Sequence, residues 1–175
     1  MTPNDLTLSR LPSPLGDLLL VSDAEGRLWA SEYADLEERL HRLLARRIGA
    51  HALKPGAAPA LAAQALEAYF SGEVEALGAI PIRLNGTGFQ NKAWAALREI
   101  PAGRPVSYAE QAARLGDAKA ARAVGGANRQ NPYNLVAPCH RVVGYSGALT
   151  GYAGGLERKT WLLEHEGEHA CSRLI

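Results

Sequence analysis

Cys139 is one of only two cysteines in a chain of 175 residues. In NLVAPCHRVVG, residues 134–144, a proline precedes it and His140 and Arg141 follow. A cysteine taken at random is a small buried hydrophobe. Positive charge beside a thiol, however, favours the thiolate, which is the nucleophilic form. Read as an extended strand, this run sends adjacent side chains to opposite faces. His140 would then act on Cys139 through a water or a bent backbone. An imidazole working as a base also needs a group to orient it, ideally a carboxylate. Glu164 or Glu166, in the C-terminal LLEHEG, can supply one. The motif alone leaves two outcomes open: an acyl intermediate that water cleaves, or a thioether that it does not.

A second group of residues points to a partner. The segment 118–130, AKAARAVGGANRQ, is almost bare of large side chains. Two interior glycines, Gly125 and Gly126, cost a helix roughly 1 kcal/mol each relative to alanine. Something must approach closely enough to offset that. Another helix in the core is one reading; DNA is the other, with Arg122 as a long cationic arm on a smooth surface. HEGEH at 165–169 fits H-E-x-x-H, the helix-borne zinc motif, but that motif needs both histidines on one face of a continuous helix. Gly167 is expected to end the helix there, so no zinc is expected. Cys171 reads as a tail thiol.

These residues must be held by the elements around them. LTLSR, DLLLVS and RLWASEY are short apolar runs separated by PSPLG and DAEG, the pattern of a strand meander. LEERLHRLLARRI places Leu36, Leu40, Leu43, Leu44 and Ile48 at helical spacing. HALKPGAAP reads as a loop, PALAAQALEAYFSG as a helix ending at Gly72, and PIRL as a candidate strand. NGTG at 85–88 marks a boundary between two domains, 1–85 and 86–175. Beyond it come helices joined by short turns. FQNKAWAALREI carries Phe89, Ala93, Leu97 and Ile100 on one stripe. Ser107 and Glu110 match the S-x-x-E capping box, Gly116 closes that helix, and Asp117 caps the next, which Asn131-Pro132 stops. Two helices around a glycine-containing turn form the helix-turn-helix pattern.

Hydrophobic content of 47% and charged content of 21% are those of an ordinary globular protein. Two distant cysteines make no disulfide framework, and a reducing, cytoplasmic setting is the simpler one. No basic patch followed by an apolar stretch opens the chain, so no secretory signal is expected. No apolar run approaches roughly 18 residues, so no membrane span is expected. The net charge of +1 conceals a pattern: residues 1–85 carry −3, residues 86–160 carry +6 and the last fifteen carry −2. A basic segment between acidic ones suits a polyanion on one face.

PCHRV, preceded by the Ala/Gly-rich helix and followed by GYAGG and K-x-W-L-L-x-H-E-G, resembles the O6-alkylguanine-DNA alkyltransferases. The similarity runs from Phe89 to Gly167 through FQ, SYAEQA, AARAVGGANRQNP, PCHRVVG, GALTGYAGG and RKTWLLEHEG. Residues 1–85 match more loosely, through SPLG at 13–16 and the AYFSG helix end. The resemblance implies an α+β chain: a ribonuclease H-like α/β domain with a small antiparallel sheet, then a mostly helical winged helix-turn-helix domain. It implies direct-reversal DNA repair, with irreversible, single-turnover transfer of the alkyl group from O6-alkylguanine to Cys139. His140 and Glu166 would form the water-bridged relay that generates the thiolate, with Asn131 bracing the active-site segment. Tyr108 would press on the target phosphate and donate a proton to guanine N3. Arg122 would fill the gap left by the flipped nucleotide, and Ala121, Ala123, Gly125 and Arg129 would lie along the minor groove. Tyr152, Ala153 and Gly154 would line the base pocket, with backbone at Val142 reading the base edge. The implied partner is double-stranded DNA carrying O6-alkylguanine, bound by a monomer without a cofactor.

Departures from the pattern carry expectations too. Gly151 and Ala153 stand where some relatives carry Asn and Ser, which implies a roomier pocket that admits adducts larger than methyl and O4-alkylthymine. Asn134 replaces a proline of some relatives, which bears on inhibition by bulky free bases. With no cysteine before position 139, the structural zinc of some relatives is not expected. Three alternatives stand beside repair, one of them a cysteine hydrolase, which the residues flanking the motif disfavour. A transcription regulator would explain the helix pair but not PCHR, and a non-repairing alkylated-DNA-binding relative would lack the acceptor cysteine.

Overall fold

The structure is a computed structural model that describes residues 5–171, with side chains to Ala170. Two compact units emerge: Met1–Asn85 with Pro132–Val136, and Gly86–Asn131 with Ala137–Ile175. A single cut after residue 85 was the sequence expectation; the five residues Pro132–Val136 instead group with the first unit.

In the first unit the meander forms as its pattern requires. Strands β1 (Leu6–Leu11), β2 (Leu18–Ser22) and β3 (Leu28–Tyr33) pair antiparallel in sequence order. The β2–β3 turn is built by Asp23, whose carboxylate accepts from the backbone N–H of Glu25 and Arg27, with Gly26 at φ 77°. Helix α1 (Glu37–Ile48) buries Leu40, Leu43 and Leu44. Leu40 and Leu44 join Leu6, Leu19, Val21, Trp29 and Ala30 in one core cluster. Each such leucine contributes about 1.5–3 kcal/mol when taken out of water. HALKPGAAP is not wholly a loop: it contains β4 (Leu53–Pro55), parallel to β1, giving the sheet order β3-β2-β1-β4. PIRL contributes only an isolated bridge, Leu28 to Ile82. Helix α2 (Ala60–Phe70) follows. The segment Pro132–Val136 is laced to β3: Ser31 N–H donates to Pro132 O at 2.9 Å and Asn134 N–H to Ser31 O at 2.9 Å. Asn134 Nδ2 also donates to the buried Glu32 carboxylate at 2.8 Å.

The second unit is mostly helical. Thr87 and Gln90 form a capping box that opens α3 (Gly88–Leu97). Ala93, Trp94, Leu97 and Ile100 are buried, whereas Phe89 is 40% exposed, so the apolar stripe starts one turn later than its spacing implied. After the two-residue strand β5 (Val106–Ser107), the Ser107–Glu110 box caps α4 (Tyr108–Arg114). Gly116, at φ 94°, makes the turn. Asp117 accepts from Lys119 N–H and starts a 3-10 turn that leads into α5 (Ala121–Arg129). Strand β6 (Val142–Val143) lies parallel to β5. Helix α6 (Leu156–Cys171) continues through Gly167, which was expected to end it. Among the described residues no helix is long and apolar enough to cross a membrane.

Candidate active site around Cys139

The backbone before Cys139 is shaped by local strain and by one side chain. Leu135 sits at φ 72°, a left-handed conformation that costs a residue with a Cβ about 1–3 kcal/mol, and it is fully buried. Asn131 is buried, and its Nδ2 donates to Ala137 O at 2.8 Å, closing the loop 131–137 on itself. Cys139–Arg141 then form a 3-10 turn, not the extended strand that the apolar run implied. Adjacent side chains therefore do not point to opposite faces here, and His140 and Arg141 both reach one carboxylate.

That carboxylate is Glu166; Glu164 is exposed. His140 Nε2 lies 2.7 Å from Glu166 Oε1, with both side chains completely buried. Arg141 Nε donates to Oε2 at 3.0 Å, Nη2 donates to Oε1 at 3.0 Å, and Nη1 donates to Ile100 O at 2.6 Å. Gly103 permits this packing. At φ 75° it approaches α6 so closely that a Cβ there would meet Ala170 Cβ at 2.7 Å and Glu166 O at 3.2 Å. Burial alone would raise the Glu166 pKa, but His140 and Arg141 outweigh it and hold it at about 2. For His140, burial comes first and lowers the pKa, against the opposing pull of Glu166. The arrangement that satisfies both is an ionised Glu166 beside a neutral His140. With Nε2–H donating to Glu166, the lone pair is on Nδ1, which is buried and has no hydrogen-bond partner in the protein.

Arg141 was read from the sequence as a charge beside the thiol, yet its guanidinium is engaged with Glu166. The cation coupled to Cys139 is Lys159, which the sequence reading missed. It is fully buried on α6, and its Nζ donates to Val142 O and Thr150 O, each at 2.7 Å. Burial weakens its hold on its proton, and its electrostatic interaction with Cys139 opposes that shift.

Cys139, 9% exposed, opens into a cavity of about 660 Å³. Tyr108, Ala121, Arg122, Gly125 and Arg129 form the wall from α4 and α5. Tyr152 and Ala153 form the wall from the following loop, with Thr150 and Gly151. Asn128 lines it as well, and is paired with Gln111 of α4 by two side-chain hydrogen bonds of 3.2 and 2.8 Å. The glycines of α5 are not explained by core packing. A Cβ at Gly125 would meet only the Tyr108 ring, at an ordinary 3.8 Å, and one at Gly126 would meet nothing within 4 Å.

Residues 88–168 match the family model described as the DNA-binding domain of 6-O-methylguanine DNA methyltransferase. A methylated-DNA--protein-cysteine methyltransferase of Shigella flexneri is 42% identical over 164 residues, covering 90% of this chain and 94% of the relative. The chain belongs to this family. The crystal structure of Mycobacterium tuberculosis O6-methylguanine methyltransferase superposes with a TM-score of 0.76 at 36% identity, covering 94% of both chains. The same mycobacterial protein in complex with DNA superposes equally well, at 37% identity over 93% of this chain and 94% of that one. The mixed α+β architecture, a small sheet plus helices, is that of these family members.

Within this family frame, eight of the residues singled out from the sequence meet around one cavity: Tyr108, Ala121, Arg122, Gly125, Arg129, Cys139, Tyr152 and Ala153. His140, Glu166 and Asn131 are buried and do not line the cavity. Three others stand apart from the cavity wall. Ala123 is exposed on α5 and Gly154 is buried, with its carbonyl accepting from Arg158 at 3.2 Å. Val142 is fully buried, with its N–H bonded to Cys139 O and its carbonyl to Lys159. HEGEH lies on continuous helix, contrary to expectation, but its glutamate is Glu166 and His165 stacks on Trp161 at 4.7 Å. Among the described residues, no cluster of three or more His, Cys, Asp or Glu is placed to hold a metal. The side chain of Cys171 lies outside the described residues.

Proposed function

We propose that this chain repairs alkylated DNA by moving the alkyl group from O6 of guanine to Sγ of Cys139, once per molecule. The observation that carries this reading is that Cys139 lines the cavity while the next residue, a neutral His140, is held by an ionised Glu166. The names of the relatives support the reaction and its substrate class.

The thiol proton passes to His140 Nδ1, directly or through one water, and the resulting imidazolium faces Glu166. The thiolate attacks the alkyl carbon, the S–C bond forms, and the C–O bond breaks with its electron pair going to the guanine. Tyr108 donates a proton to guanine N3 as the base leaves. A thioether is not cleaved by water, so the protein is consumed. An O6-alkyl group is buried in a stacked duplex, so the base must be extruded at a cost of a few kcal/mol. Arg122 fills the void, Arg129 holds phosphate, and Ala121, Ala123 and Gly125 keep α5 low enough to sit in the minor groove. Tyr152 and Ala153 shape the pocket, and Asn131 keeps the 131–137 loop closed.

The same reading covers the finer fold. The 3-2-1-4 sheet, with β4 parallel to β1 after a crossing helix, supports a ribonuclease H-like first unit. The α4–turn–α5 pair beside β5 and β6 supports a winged helix-turn-helix. The protein acts as a monomer on double-stranded DNA.

Intact-protein mass measurement after incubation with O6-methylguanine DNA tests the proposal. Wild type gains a methyl and loses the thiol proton; Cys139→Ala gains nothing. DNA binding without any mass gain would point to a non-repairing binder, and a gain that persists in Cys139→Ala would overturn the acceptor.

A further inference from the structure

Oε1 of Glu166 is shared. It takes His140 Nε2 at 2.7 Å and Arg141 Nη2 at 3.0 Å, while Arg141 Nε spans both carboxylate oxygens at 3.2 and 3.0 Å. The fork is itself fixed from behind, because Nη1 donates to Ile100 O at 2.6 Å. A planar guanidinium gripping a carboxylate along its edge sets both its position and its rotation, which an ammonium cannot do. It also screens the charge that the imidazole sees. A histidine facing an unshared buried carboxylate gains proton affinity. A carboxylate already paired with arginine offers less of that gain.

We propose that Arg141 is a positioning residue for the alkyl transfer: by clamping Glu166 it keeps His140 a neutral base with its lone pair on Nδ1. The inference rests on the reading of Cys139 as alkyl acceptor with His140 as its base. The charged groups acting on His140 are Glu166 and Lys159 from α6 and Arg141 from its own turn, with Cys139 as its chain neighbour; the Tyr152 ring stands edge-on at 6.2 Å. Burial is the largest influence keeping His140 neutral, and Arg141 and Lys159 act in the same direction while Glu166 opposes them. Removing Arg141 leaves Glu166 to act on His140 alone, so His140 holds a proton to higher pH and the base is lost on the acid side.

The test is the pH dependence of single-turnover transfer from O6-methylguanine DNA in wild type, Arg141→Met and Arg141→Lys, with folding checked by thermal melting. In R141M the acid limb of the rate profile moves to higher pH by about one unit. In R141K, where one ammonium cannot span both oxygens and Ile100 O, the limb moves the same way by less and the plateau falls. Nitrogen NMR of labelled histidine follows the same shift directly on the His140 ring. A uniform loss of rate at every pH, with the limb and the His140 titration unmoved, overturns the proposal and leaves Arg141 a packing residue. Should R141M fail to fold, an unmoved limb in R141K overturns it equally. Absence of any mass gain in wild type would instead defeat the underlying acceptor reading, so the two failures are distinguishable.

Discussion

Gln111 and Asn128 hold each other by two amide hydrogen bonds across α4 and α5, and Gln111 Nε2 also reaches Ala93 O at 3.4 Å. Both side chains are buried, so the pair fixes the relation of the two helices through directional bonds where the surrounding residues are too small to interlock. Replacing one partner strands the other. Gln111→Leu is expected to cost about 1–3 kcal/mol in urea unfolding. The double variant Gln111→Leu/Asn128→Leu should cost clearly less than the sum of the singles, and additive losses would show that the pair is not coupled.

Gly126 is expected to reveal a conflict between stability and binding. No protein atom lies within 4 Å of a Cβ built there. Gly126→Ala should therefore raise stability by about 0.5–1 kcal/mol through helix propensity. If α5 lies against DNA, the same methyl group weakens duplex binding by about tenfold, equivalent to 1.4 kcal/mol. Melting and titration of a labelled duplex measure the two effects, and unchanged affinity would remove α5 from the interface.

Lys159 is expected to govern thiol reactivity. Lys159→Met removes a buried cation coupled to Cys139 and leaves Val142 O and Thr150 O without their donor. Iodoacetamide modification of Cys139 should then need a higher pH to reach a given rate. Lys159→Arg, which keeps the charge, should restore part of the loss. A modification rate with the wild-type pH dependence in Lys159→Met would show that the lysine only braces the loop.

The pocket wall at Gly151 predicts the range of adducts. A Cβ there meets nothing within 4 Å, and the residue lines the cavity. Gly151→Asn should slow transfer of a benzyl group by about tenfold more than transfer of methyl. Competition between O6-benzylguanine and O6-methylguanine DNA measures the ratio. Equal slowing of both would mean that the glycine does not set pocket width.

Acid should destabilise the second unit in two steps. His140 is held neutral in the fold below its ordinary value of 6.5, so the unfolded chain takes up the proton first and stability falls as pH drops below about 6.5. Glu166 has a folded pKa of about 2 against an ordinary 4.5, so its contribution is present above 4.5 and is lost between there and about 2. Urea midpoints at stepped pH follow both. His140→Gln should abolish the upper step and keep a lower one, because Arg141 still holds Glu166.

Legibility in the sequence followed the range of the interaction. The Ser107–Glu110 capping box and the turn at Gly116 are decided within four residues, and the structure has both where the sequence placed them. The Thr87–Gln90 box carried the same local signal and went unread. From the residues alone Glu164 and Glu166 are not separable, since only the packing of α6 decides which one faces His140; the family resemblance is what singles out Glu166. The turn at Cys139 was hidden because an apolar, β-branched run looks like a strand, and the bends that break it come from Asn131 and Leu135. Strand β4 was missed because three residues including a lysine and a proline give no alternation. Lys159 gives no local signal, because its burial comes from Val142 O and Thr150 O, 17 and 9 positions away in the chain.

The lacing of Pro132–Val136 to β3 gives the chain an unusual order of completion. The first unit needs residues that lie nearly fifty positions beyond Asn85, on the far side of the segment Gly86–Asn131 of the second unit. At a synthesis rate of about 5–20 residues per second, Ser31 and Glu32 wait roughly 3–10 s after residue 85 is made before Asn134 exists to satisfy them. During translation the sheet therefore has an unfinished edge, and Cys139 leaves the ribosome only three residues after Val136, the last residue of the segment that closes it.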